Sequence, residues 1–121
     1  MSEIRFDDRV VLVTGAGRGT GAAYARAFAG RGASVVVHDA GVEQDGSGGD
    51  PAVADAVARE IGGVASVENL ESEEGCRRVV DIAVDRFGRL DAVVHSAGLL
   101  VWEELEDAHS SWELMRRVNV D

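Results

Sequence analysis

The sequence predicts an α/β fold, a doubly wound parallel sheet, on three observations. Short β-branched runs alternate along the chain with longer segments of helical periodicity. The runs are apolar from end to end, as in strands buried on both faces. Glycines punctuate the junctions between the two kinds of segment.

In chain order, the run at 10–13 ends in Thr14-Gly15, and after a Gly-rich turn the Ala-rich segment 21–29 reads as helix, stopped by Gly30-Arg31-Gly32. Residues 34–38 are β-branched and form the second strand. Residues 39–50 hold four Gly and little apolar content, which predicts a mobile loop. Asp50-Pro51 supplies an N-cap and an N1 proline to a helix whose Val53, Val57 and Ile61 recur every four residues, closed by Gly62-Gly63. Residues 64–67 are a short third strand. Ser72-Glu73-Glu74 then caps a helix with one apolar stripe, Cys76, Val79, Val80, Ala83, Val84 and Phe87, ended by Gly88. Residues 90–95 make a fourth strand, expected at a sheet edge. After an irregular stretch, Ser110-Ser111-Trp112-Glu113 opens a last helix. No internal repeat or linker divides residues 1–121, so they read as one domain.

The formal charge is −10, and the basic residues are all Arg, with no Lys anywhere. That balance argues against a nucleic-acid groove and leaves an anionic ligand to be held by backbone. The single Cys76 excludes an internal disulfide and suits a reducing compartment, with the cytoplasm expected. No stretch approaches the roughly 18 apolar residues of a bilayer span, and the N-terminus has no apolar leader, so a soluble, unexported protein away from membranes is expected.

The chemistry concentrates in Thr14-Gly15-Ala16-Gly17-Arg18-Gly19-Thr20-Gly21, between the first strand and the first helix. A dinucleotide pyrophosphate would sit there, on the positive end of the helix. Gly15 permits the tight turn, Gly19 lets the amides around Arg18 and Thr20 approach phosphate, and Gly21 brings the helix close to the sheet. A Gly-rich turn alone also fits a plain strand-to-helix connection. Asp39 stands at the end of the second strand, at about the 20-residue spacing expected of an acid that accepts from ribose hydroxyls. A turn-forming Asp before Ala-Gly is its alternative reading. A ribose-binding acid repels the extra phosphate of NADP, so NAD is the expected cofactor.

Residues 14–21 resemble the TGxxxGxG signature of short-chain dehydrogenases/reductases. His95-Ser96-Ala97-Gly98 occupies the place of that family's NNAG motif, and Asn119 matches the helix asparagine of its catalytic tetrad. Asn69-Leu70 sits where the family has Asp-Val, which contacts adenine. The resemblance runs from about Phe6 to Asp121 and implies a Rossmann-type NAD(P)-binding fold, a nicotinamide cofactor and hydride transfer to or from an alcohol or carbonyl. The Gly-rich loop after Asp39 is also similar to that of the dehydrogenase domains of peroxisomal-type multifunctional hydroxyacyl-CoA enzymes. A small alcohol or ketone, or an acyl-CoA-type substrate, and a homo-oligomer are expected on the same ground.

His95 and Ser96 replace both asparagines of NNAG, while Ala97 and Gly98 keep room for the cofactor. Asn69 retains an oxygen able to accept from the adenine amino group. The family's Ser and Tyr-x-x-x-Lys are absent from these residues, so the fold is expected to be truncated after the fourth strand and its helix. Asn119 then has a supporting role only, and a non-catalytic dinucleotide-binding or interaction module is the alternative function. Tyr24 lies four residues before Phe28, a spacing that predicts core packing. Cys76 on its apolar stripe is expected to be a buried, inert thiol. His38, His95 and His109 share no metal-ligand spacing, so no metal is expected. Glu73-Glu74 and Glu103-Glu104 read as a helix start and a solvated surface.

Overall fold

The computed structural model describes residues 3–42, 49–98 and 109–119. Four strands and four helices alternate: β1 (Val10–Thr14), α1 (Gly19–Gly30), β2 (Ser34–His38), α2 (Ala52–Ile61), β3 (Val64–Ser66), α3 (Glu73–Phe87), β4 (Ala92–His95) and α4 (His109–Asn119). The strands pair in parallel in the order β3-β2-β1-β4. The chain steps outward from β1 to β3 and then returns to the other side of β1. The order therefore reverses between β1 and β4, and a crevice outside the carboxyl ends of these strands is where α/β folds bind ligands.

Alternation along β1 and β2 explains both layers. Val11, Val13, Val35 and Val37 pack with Ala22 and Ala25 of α1 and Ala54, Val57 and Ala58 of α2. Val10, Leu12 and Val36 pack on the opposite face with Val79 and Ala83 of α3. Each Val buried in this way contributes about 1.5–3 kcal/mol. The alanines of α1 let that helix approach the sheet closely.

The helix ends follow from local chemistry. Asp50 accepts from the Ala52 amide at 2.9 Å, and Pro51 already has helical dihedrals (φ −63°, ψ −19°), so the cap stands two residues before the formal helix start. Gly62 leaves α2 at φ 70°, and Gly63 N–H returns to the Ala58 carbonyl at 2.8 Å. Ser72 Oγ accepts from Gly75 N–H at 3.0 Å, and Gly88 closes α3 at φ 81°.

Two expectations fail. Tyr24 is 44% exposed, because α1 turns Gly21, Ala22 and Ala25 inward instead. Its partner by spacing, Phe28, meets Phe6 edge-on at 5.0 Å between ring centroids. Cys76 is exposed as well. The stripe on α3 is wider than what covers it: Val79 and Ala83 are buried, while Val80 and Val84 on its far edge face outward. The fourth strand is shorter than expected, because Asp91 serves as its anchor, with its carboxylate accepting from Val10 N–H at 2.8 Å and its own N–H donating to the Val10 carbonyl at 2.9 Å. Glu103 and Glu104 lie outside the described residues.

Candidate functional site

The Gly-rich turn, the end of β4 and the end of β2 converge at the carboxyl edge of the sheet. Thr14, the last residue of β1, organises the junction. Its buried hydroxyl accepts from Ser96 N–H and Ala97 N–H, each at 3.1 Å, and lies 2.8 Å from His95 Nδ1. Two accepted bonds leave the hydroxyl its one proton to give, so it donates to Nδ1 and His95 carries its own proton on Nε2. Substitution of both NNAG asparagines therefore leaves the turn tied to β1. Thr14 was legible only as part of a motif, since no sequence signal shows which backbone amides it meets.

Close approach explains the glycines more sharply than turn propensity does. Gly15 sits at φ 64°, and a Cβ there would be 2.8 Å from the backbone of Ala97. A Cβ on Gly21 would strike the Gly15 carbonyl. Gly17, given no role by its place in the motif, lies against Asp39: its amide donates to Asp39 Oδ2 at 3.0 Å, and a Cβ would lie 2.9 Å from that oxygen. Gly19 has φ 53° and open space where a Cβ would go. Arg18 precedes α1 and donates to the Val42 carbonyl at 3.2 Å, and Thr20 is exposed in the first turn.

Asp39 also accepts from Gly41 N–H at 2.8 Å through Oδ1, so each carboxylate oxygen is held by one amide and keeps a lone pair. Asn69 Oδ1 accepts from Glu71 N–H at 2.9 Å, which likewise leaves one acceptor site. Leu70 packs with the α3-side core. Asn119 comes to the end of β4, its side-chain oxygen 3.2 Å from where a Cβ on Gly98 would stand. The structure thus brings Gly15, Gly17, Asp39, Ala97, Gly98 and Asn119 to one edge of the sheet. No cluster of metal-ligating side chains occurs among the described residues, and no described helix is long and apolar enough to cross a membrane.

A family model described as short chain dehydrogenase matches residues 9–121. The chain belongs to the short-chain dehydrogenase family. Its relatives include the peroxisomal multifunctional enzyme type 2 of Mus musculus, 46% identical over 98% of this chain and 17% of that protein. The peroxisomal hydratase-dehydrogenase-epimerase of Neurospora crassa is 40% identical over 98% of this chain and 14% of its own length. Among solved structures, a short chain dehydrogenase from Mycobacterium paratuberculosis bound to NAD superposes with a TM-score of 0.84, at 27% identity over 94% of this chain and 46% of that one. The chain spans less than a fifth of the two multifunctional relatives and under half of that solved structure. By family the chain corresponds to the NAD(P)-binding region of oxidoreductases of this kind, and it matches the peroxisomal multifunctional enzymes along nearly all of its own length.

Proposed function

We propose that this chain binds NAD(H), in preference to NADP(H), for hydride exchange with an alcohol or carbonyl substrate, a small ketone or an acyl-CoA-type molecule. The observation that carries the reading is Asp39, whose carboxylate ends β2 beside Gly17 and keeps an acceptor site on each oxygen. The residues fit a dinucleotide on a second count. Unlike α2 and α3, α1 begins with no acid in its first turn, and no side chain caps it. Its first amides are free to meet an anion, and the open side of Gly19 leaves room for one. When bound, the nicotinamide gives or takes the hydride. The chain's own part is to hold the two phosphates on backbone, accept the adenosine ribose at Asp39, offer Asn69 to adenine, and leave space at Ala97 and Gly98.

Asp39 sets the cofactor preference by charge. Two like charges at 4 Å near a surface repel by up to about 4 kcal/mol, and Arg18 beside the site offsets part of that. Titration calorimetry with NAD and NADP tests the reading: NAD binds more tightly, and equal or tighter NADP binding defeats it.

A second reading follows from the sequence itself. These residues contain no Lys, and their one Tyr lies exposed on α1. No Tyr-Lys general-acid pair can form from them, so on their own they bind cofactor without turnover, and Asn119 supports a site completed by other residues. Steady NADH oxidation with a panel of ketones by residues 1–121 alone would refute this.

A further inference from the structure

His38 and Ser66 are register partners at the carboxyl ends of β2 and β3. Both are buried, at 2% and 3% exposure. His38 Nε2 lies 2.8 Å from the Glu68 carbonyl oxygen. A carbonyl only accepts, so Nε2 carries the proton and Nδ1 is left as an acceptor. Nδ1 and the Ser66 hydroxyl are the buried side-chain polar atoms without a hydrogen-bond partner among the described residues. An unused acceptor and an unused donor thus stand on adjacent strands, about 4.8 Å apart in a sheet. A Ser66 hydroxyl turned toward Nδ1 would satisfy both atoms and hold the ring in the Nε2–H form.

The bond to Glu68 reaches toward the cofactor. Glu68 lies in the segment between β3 and α3, its carboxylate is held by Arg78 of α3 at 2.8 Å, and Asn69 follows it directly. On its other side, His38 is bonded in sequence to Asp39. One imidazole therefore joins the strand that leads into Asp39 to the segment that carries Asn69.

We infer that His38 is a positioning residue that sets Asn69 against the adenine amino group, with Ser66 fixing its tautomer. The inference rests on the reading of this edge of the sheet as an NAD site. The probes are NAD and its hypoxanthine analogue, in which the 6-amino group is a carbonyl oxygen, titrated into the full-length protein. The parent binds NAD about two- to tenfold more tightly than the analogue, the worth of one hydrogen bond. His38→Leu weakens NAD by that factor and brings the ratio of the two constants to near one. His38→Gln, which keeps an N–H within reach of Glu68, restores the ratio.

A role in folding alone would weaken both ligands together and leave the ratio intact, so a folded His38→Leu protein that still discriminates like the parent overturns the inference. A parent that binds both ligands equally also overturns it while leaving the dinucleotide site standing. A parent that binds neither removes the site and the inference with it. Should His38→Leu fail to fold, nitrogen-15 spectra of the parent decide: the Nε2–H tautomer is expected, and the Nδ1–H tautomer overturns the inference.

Discussion

Thr14 shows how much one hydroxyl can organise. It takes up the amides of Ser96 and Ala97 and the ring of His95, so it fixes the distance between the Gly-rich turn and the end of β4. Thr14→Val keeps the shape and removes those bonds, leaving the part-buried Ser96 and Ala97 amides without their partner at a cost of about 1 kcal/mol. Urea denaturation should register that loss, and NAD titration should register weaker binding. Gly19 gives a cleaner separation of binding from folding. Gly19→Val places a branched side chain at φ 53°, with strain of about 1–3 kcal/mol, in the space open to phosphate. The expected result is loss of NAD binding with helix content by circular dichroism nearly unchanged, and undiminished binding would mean that the phosphate position is wrong.

At the level of elements, the start of β4 depends on Asp91. Its hydrogen bond with Arg89, and secondarily the one from the Val10 amide, hold its carboxyl below the usual carboxylate range. A depressed folded-state pKa adds stability that is present above the unfolded value, near 4, and is lost as pH falls through the folded value. Asp91→Ala should therefore lower the thermal midpoint at neutral pH, and the gap from the parent should close in acid. A gap independent of pH would assign the effect to packing.

The same scale marks what could be read from sequence. Residues 34–38 and the Ser72 cap were legible because they rest on local signals, β-branching and a hydroxyl three residues before the amide it meets. Tyr24 and Cys76 misled because periodicity defines a face and not what covers it. Gly17, Thr14 and the His38–Ser66 pair depend on which strand lies beside which, and that is set only when the sheet assembles.

Taken whole, the described fold leaves β4 at a sheet edge with Val93 55% exposed. Val80 and Val84 on α3 and Trp112, 59% exposed on α4, add to the apolar surface. Uncovered apolar surface beside a strand edge invites association. Residues 1–121 expressed alone should scatter light as more than a monomer, and Val80→Glu with Val93→Thr should reduce the measured mass; a monodisperse parent monomer would count against this. The place of β4 has one more effect, on the order of events in folding. β1, α1 and β2 close over short stretches of chain, whereas Thr14 reaches its partners across 81 to 83 positions. A long loop must close before that contact returns any energy, so it belongs among the slowest to form. The part of the crevice at Asp39 is then in place early and the part at Ala97 late, and if the proposed cofactor reading holds, a protein caught midway through refolding should grip adenosine before it can grip the rest of the dinucleotide.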